Sequence, residues 1–359
     1  MSIPPILATE YVSDRIGVCC RVLVDSKGRA FRLQYDPWSL RGKRPLLGEI
    51  WRGRVITKDP GLGGCIVDIG LNNHVFLQTK KAIPSDGSKV DIRIKSEAWH
   101  EKSAVAVLEN STFNENQAQH IGLLQKADDS SFYDGVTVIE TVNDINAWDV
   151  TEAALERAVE RHLPLQGGGS ISVEPTRALI AVDIDAGGRE NKGDRSRFAL
   201  DTNKLAAEEI AYQLSLSSLG GIVAIDFLKM KSTQQNECIT KELEKNLATL
   251  LRRKTQFAKM SPFGVLELSI AHRCSPVSYL HSMQTTAEYA ALIAIKALER
   301  EAFNDRGAKF KVSVSPEAYR WLEGKCIEWK IPLANRIGHR FEFEEETSIQ
   351  TAEYKIGKN

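Results

Sequence analysis

Two apolar runs, each ending on an aspartate and separated by one helical stretch, constrain this chain more than anything else in it. The first reads ALIAVDIDAG and carries Asp183 and Asp185; the second reads GGIVAIDFLKM and carries Asp226. Between them, LDTNKLAAEEIAYQLSLSSLGG reads as a helix, so the unit is strand–loop–helix–strand. A crossover of that kind sets the two strands parallel, with their carboxyl ends on one edge of the sheet. Two carboxylates gathered there either share a metal ion or one of them takes up a proton, because like charges at close range resist joint ionisation. Oxygen ligands favour magnesium or manganese, and such a site serves phosphate chemistry. A single aspartate at a strand end usually caps a helix or a loop; two such strands around one helix make a shared metal the stronger reading. Asp185, two residues beyond Asp183, falls on the same face if the strand continues, as a third oxygen ligand or a hydrogen-bond acceptor in the loop.

A chain of 359 residues can bury two or more separate cores. Its 47 Lys and Arg balance 47 Asp and Glu, so any contact with nucleic acid must come from local basic patches. Six cysteines without C-x-x-C spacing read as reduced thiols, not as a disulfide framework or a zinc site. No run has the apolar length of a membrane span and the N-terminus does not have the form of a signal peptide, so a soluble, cytoplasmic protein is expected.

Residues 12–35 read as two strands around Ser26-Lys27-Gly28. From 46 to about 110, five short strands with turn signals suggest an OB-type barrel. A polar, weakly periodic stretch follows, then the helix VTEAALERAVERHL and the break PLQGGGS. Beyond Asp226 the reading is a helix TKELEKNLATLLRRKTQFAKM, a strand FGVLELSI and a helix TAEYAALIAIKALEREAF. The tail from about 308 reads as a strand KFKVSVS, a helix SPEAYRWLEGKCIEW and a last strand RFEFEE. In the glycine-rich loop after Asp185, Arg189 and Lys192 would contact phosphates, although no GK[ST] closes a P-loop. Arg252, Arg253 and Lys254 sit at an expected helix end, where dipole compensation competes with phosphate binding. In the barrel, Phe76, Trp51 and Trp99 with Arg52, Arg54, Lys95 and Lys102 have the mixture that holds single strands, though single aromatics in a small barrel are usually core.

These segments, in this order, resemble the ribonuclease E/G family. GEIWRGRVITKDPGLGGCIVDIG and HVFL are similar to that family's S1-type OB domain, and LPLQGGGSISVEPTRALIAVDIDAG to the entry into its catalytic subdomain. LDTNKLAAEEIAYQLSLSSLGGIVAIDFLKM and SPFGVLELS follow its longest motifs almost position by position. The resemblance implies a multidomain α+β and α/β chain. In it, 1–45 is an N-terminal hairpin of an RNase H-like subdomain and 46–110 an S1-like OB-fold RNA-binding domain. The rest of the RNase H-like subdomain is 111–165, the DNase I-like catalytic subdomain 166–285, and a helix with a small α/β domain 286–359.

By the same resemblance, Asp183 and Asp226 fall on the two magnesium-binding catalytic aspartates, and Phe76 and Lys102 on positions that contact RNA. Lys254 falls on a cationic position near the scissile phosphate. The implied activity is magnesium-dependent hydrolysis of single-stranded RNA to 5′-phosphate ends. Departures are Asp185 for the family Asn, Ile66 for a stacking Phe, Arg177 for a Glu, Pro262 for an Arg and Lys229 for an Asp. The stretch from 111 to 150 is too short for a 5′-monophosphate sensor, and the zinc link C-P-x-C is missing after Cys274. No zinc and no zinc-linked dimer are therefore expected, leaving a monomer or a dimer through another interface. The alternative reading is an RNA-binding protein on the same scaffold that does not cleave.

Overall fold

A computed structural model of the chain describes residues 3–79, 83–109, 120–187 and 195–358. β1 (Ile6–Arg15), β2 (Val18–Asp25) and β3 (Ala30–Pro37) form an antiparallel meander. The sequence predicts two strands here. The β2–β3 turn falls as read, with Gly28 at φ 77°, but ILATEYVSDR adds a further strand that starts before residue 12.

β4 (Ile50–Asp59), β5 (Gly64–Asp68), β6 (Val75–Gln78), β7 (Lys89–Ser96) and β8 (Val105–Leu108) pair in the order β5-β6-β8-β7-β4, and β4 returns to β5. That closes a five-stranded barrel, filled by side chains such as Val55, Val67, Leu77, Ile92 and Ile94. β9 (Gly122–Gln125) adds to β4 outside the closure, and β10 (Val136–Val142) runs parallel to β1. Neither strand is anticipated by the sequence: neither has a fully buried residue, and in β10 only Val136 and Val138 pack, half-buried, against a core. α1 (Ile145–Val159) then lies on the meander through Ala154 and Ala158.

β11 (His162–Pro164), β12 (Ser170–Pro175), β13 (Ile180–Asp185), α2 (Arg195–Leu216), β14 (Gly221–Asp226), α3 (Thr233–Leu251), β15 (Thr255–Phe257) and β16 (Val265–Ile270) build the central unit. Its sheet runs β11-β12-β13-β14-β16-β15, and β13–β14, joined through α2, is its parallel pair. Inward Val182, Ile184, Val223, Ile225, Leu266 and Leu268 pack with Ala207, Ile210 and Leu214 of α2 and Leu243 and Leu247 of α3. Both helices are spent on that one core, and the alternate residues of the strands face outward, Ile222 at 54% exposure among them. α3 is displaced from the predicted span: Ser232 caps it through the Gln235 N–H, and it ends at Leu251 with Arg252 left-handed at φ 51°. The last residues of the predicted helix are instead β15 and the turn after it.

α4 (Val277–Ser282) and α5 (Thr286–Asn304) lead to β17 (Phe310–Val314), α6 (Pro316–Glu323), α7 (Lys330–Ile337), β18 (Phe341–Glu345) and β19 (Tyr354–Lys358), with sheet order β18-β17-β19. The single helix predicted over 315–329 stops at Glu323 before Gly324, and α7 and β19 were not read from the sequence.

Candidate active site

The parallel pairing sets Asp183 directly opposite Asp226, and the row continues to Ser172 on one side and Val265 on the other. Both aspartates end their runs on the outward face because period-two alternation puts Val182, Ile184 and Ile225 inward. Both are exposed, and among the described residues neither carboxylate has an ion-pair or hydrogen-bond partner. Asp185 lies one pleat further on the same face, opposite Ser170, and its Oδ1 accepts from the Gly187 N–H at 2.8 Å. One of its oxygens is thus committed to the turn, as the loop-acceptor reading expects.

Two supports of this edge were not read from the sequence. Asn203, fully buried on α2, donates Nδ2–H to the Leu228 carbonyl at 2.9 Å and accepts from the Leu228 N–H at 3.1 Å, clamping the backbone just past Asp226. The second is the turn Ser261–Gly264. Gly264 accepts from the Phe227 N–H at 3.4 Å and has φ +95°, and a Cβ built on it would stand 4.0 Å from Asp226 Oδ1. On that turn Phe263 is 89% exposed, a phenyl ring held open next to the carboxylate edge.

The barrel docks at the other end of the sheet. Trp99 stacks on His272 with centroids 5.5 Å apart, His272 Nε2 lies 3.1 Å from the Glu97 carbonyl, and the Ser275 hydroxyl donates to the Ala98 carbonyl at 2.8 Å. Burial pushes the His272 imidazole below its ordinary value. Arg177, a departure from the family pattern, donates to Glu101 at 2.7 Å across this junction. Phe76 and Lys102 are near one another: the Phe76 N–H donates to the Ala104 carbonyl, two residues from Lys102, whose backbone bridges to Trp99. Gly64 makes room for the ring, since a Cβ there would sit 2.6 Å from Phe76 and 2.2 Å from the Leu77 carbonyl oxygen. Ile66 pairs with Phe76 across β5–β6.

Lys254 is not brought to the aspartates. Its carbonyl accepts from the Ala271 N–H and it precedes Thr255, whose row passes through Ile270 to Gly221. Six residues of rise separate that level from Asp226, about 20 Å along the strands, so Lys254 sits at the barrel end. Arg189 and Lys192 lie outside the described residues.

Asp183 and Asp226 suit a hard divalent cation: two carboxylates without a partner among the described residues stand opposite in register on adjacent strands at an exposed edge. Among the described residues no group of three or more His, Cys, Asp or Glu could hold a metal. A cation held here would keep several waters, as magnesium does.

These features define a mixed α+β multidomain protein in which a closed five-stranded barrel adjoins a carboxylate-bearing sheet. The model of the ribonuclease E/G family matches residues 80–272, just over half of the chain. The chain belongs to the ribonuclease E/G family. Ribonuclease E of Escherichia coli K12 is 32% identical over 192 residues, which are 53% of this chain and 17% of that protein. Ribonuclease E of Haemophilus influenzae is 39% identical over 128 residues, 35% of this chain and 13% of that one. Ribonuclease G of Salmonella typhimurium is 29% identical over 184 residues, 48% of this chain and 37% of that one. The chain therefore spans well under half the length of these relatives. A solved structure of a multidomain protein with nucleic acid binding domains from Streptococcus pneumoniae TIGR4 is similar over 28% of this chain and 39% of that one, at 23% identity and a TM-score of 0.16.

Proposed function

We propose that this chain is an endoribonuclease that hydrolyses single-stranded RNA with a divalent cation, magnesium or manganese, held by Asp183 and Asp226. The observation that carries the reading is the register of the parallel pair, which sets the two carboxylates opposite one another at an exposed strand end. The cation, when bound, would activate a water and offset charge building on the phosphate oxygens.

The chain's own residues divide the remaining work. Asp183 and Asp226 position the cation; Asn203 and Gly264 hold the backbone just past Asp226, at Leu228 and Phe227; Phe263 offers its face to an unstacked base beside the reacting phosphodiester. Phe76 and Lys102 grip the strand at the barrel by stacking and by charge. RNA would lie along the open face between the two ends, with Asp185 a neighbour of the cation through its remaining oxygen. Lys254, Arg189 and Lys192 remain phosphate contacts in this reading, Lys254 serving RNA at the barrel end.

The domain assignment goes with it. The S1-like domain is 46–110, and 1–45 with 111–165 form the RNase H-like subdomain. The DNase I-like catalytic subdomain is 166–285, and 286–359 carry the C-terminal helix and small domain. The enzyme would work in the cytoplasm, without zinc, without sensing a 5′-monophosphate, and as a monomer or a dimer through an interface other than a zinc link. Among the described residues no helix is long and apolar enough to cross a membrane.

The test is a labelled single-stranded RNA incubated with the purified chain in magnesium and in EDTA, beside Asp226→Asn. Magnesium-dependent fragments that vanish in the variant support the enzyme. A second reading, an RNA-binding protein without cleavage, draws on the separation of Lys254 from the aspartates and on Asp185 in place of an Asn; retention of RNA by the parent without fragments would select it.

A further inference from the structure

The row that carries the aspartates does not stop at Ser172. His162 of β11 pairs with Ser172, Ser172 with Asp183, and Asp183 with Asp226, so side chains from four adjacent strands stand side by side. Burial fixes their face: Leu163, Ile171, Val173 and Val182 point into the core, which turns His162 and Ser172 outward with the carboxylates. His162 Nδ1 lies 2.9 Å from the Ser172 hydroxyl oxygen. That contact occupies one ring nitrogen and leaves Nε2 free, without a partner among the described residues. At the usual spacing of strands, the His162 backbone stands about 5 Å from that of Ser172 and about 10 Å from that of Asp183.

Buried polar groups are spent on placing this histidine. Gln213, at 2% exposure, donates from Nε2 to the carbonyls of Arg157 at 3.0 Å and Glu160 at 3.3 Å, and the Ser217 hydroxyl donates to the Ala158 carbonyl at 2.8 Å. The Glu160 carboxylate accepts from the Arg161 and His162 N–H groups at 2.8 and 3.0 Å, and the Arg161 carbonyl accepts from the Val173 N–H at 2.8 Å. The end of α1 is thereby pinned to α2 and to β12, and the imidazole follows directly. The charged groups about it are Glu160 and Arg161 on its own segment, Glu174 one pleat along β12, and Asp183 beyond Ser172. An imidazole is the side chain best suited to hand over a proton near neutral pH.

We propose that His162 is a further catalytic residue of this edge, its Nε2–H protonating the 3′-oxygen that leaves the scissile phosphate, with Ser172 as the positioning residue that holds the ring. The inference rests on the reading of the edge as a site of RNA hydrolysis. The oxygen of water forms the new bond to phosphorus. The P–O3′ bond breaks with its electron pair on O3′, and the Nε2 proton passes to that oxygen. The proton shed by water goes to solvent, from which the imidazole takes one back, leaving a 5′-phosphate and a 3′-hydroxyl.

The test compares two single-stranded RNAs with magnesium, one ordinary and one with sulfur in place of the 3′-oxygen at the cleaved linkage, a leaving group that departs without a proton. His162→Gln should cleave the ordinary RNA slower by roughly 10²-fold or more and the sulfur-bridged RNA at the rate of the parent. Ser172→Ala should show a smaller loss, cured in the same way. The imidazole is exposed, so both variants should melt with the parent. A readout without catalysis is the imidazole signal in nuclear magnetic resonance, identified by its loss in His162→Gln. In Asp226→Asn with EDTA, saturating RNA should shift it. Equal loss on both RNAs, parent-like cleavage of ordinary RNA by His162→Gln, or an unmoved signal each overturns the proposal while the hydrolytic reading stands. A parent that retains RNA and cleaves neither substrate overturns both.

Discussion

The two ends of the central sheet are built on opposite principles. At the aspartate end, carboxylates stand in solvent without a described partner, and what is fixed is the backbone beneath them, by Asn203 and by the Ser261–Gly264 turn. At the barrel end, side chains are interlocked: Trp99 on His272, Ser275 on Ala98, Arg177 on Glu101. An acidic edge repels a phosphodiester unless a cation intervenes, so it supplies no grip by charge. In the proposed reading that grip comes from the end that carries Phe76, Lys102 and Lys254, and Phe263 adds only a stacking contact. The division separates chemistry from holding, and each substitution below should move one and leave the other.

The largest effect is expected at Asp183. Asp183→Asn keeps shape and removes charge, so cleavage should fall by roughly 10²–10⁴-fold, the range of a positioned charge or general base. RNA affinity measured in EDTA should stay level or rise, since repulsion of phosphate is relieved. A variant that cleaves like the parent would break the comparison at its root.

Next comes Asn203→Ala, which strips both partners from the Leu228 backbone. Its stability cost should be about 1–3 kcal/mol. If Asn203 positions Asp226, kcat should fall while KM holds; a purely structural role would lower the melting temperature and leave kcat of the folded fraction intact.

Phe263 and Lys102, one at each end, sharpen the contrast further. Phe263 is so exposed that Phe263→Ala should change stability by no more than about 0.5 kcal/mol, and loss of a stacked base should weaken RNA binding by about 1–3 kcal/mol. Equal affinity would leave the ring without a role in RNA binding. At the far end, Lys102→Ala should weaken binding evenly across sequences and reduce the slope of log K against log salt by about 0.7. An unchanged slope would remove Lys102 from the phosphate track.

What the sequence could reveal follows the same division. The aspartate pair was legible because period two and a helical crossover together fix both face and edge, and the register of Asp183 on Asp226 agrees with that reading. Asn203 was not, because a polar residue in a helix pattern reads as solvated and nothing local says that it is buried against a strand end. Lys254 was placed by motif alone; its position depends on β15 running back along the sheet, a tertiary fact hidden in what read as continuing helix. Arg253 beside it looked like part of a solvated basic run, whereas the residue is half-buried with its Nη1 covered. The edge strands β9 and β10 were missed because neither has a fully buried residue, and the inward alternation of β10 is only Val136 and Val138 long.

The smallest predicted effect tests the interlocked end by pH. His272 is held below its ordinary value of 6.5 chiefly by burial, so the folded chain takes up that proton only at a lower pH than the unfolded chain does. Between the two values the unfolded state carries more protons, and stability falls as pH drops from 7.5 through 6.5 and levels off only below the folded value. His281 is lowered by burial too and contributes in the same direction. His272→Gln, which retains a donor for the Glu97 carbonyl, should therefore flatten the fall in melting temperature between pH 7.5 and 5.5 without abolishing it, the remainder belonging to His281. RNA affinity of the parent should follow the same curve only if protonation loosens the barrel from the sheet. Parallel melting curves in parent and variant would mean that the stacked imidazole tolerates its charge, and that the barrel end is less tightly closed than the aspartate end is open.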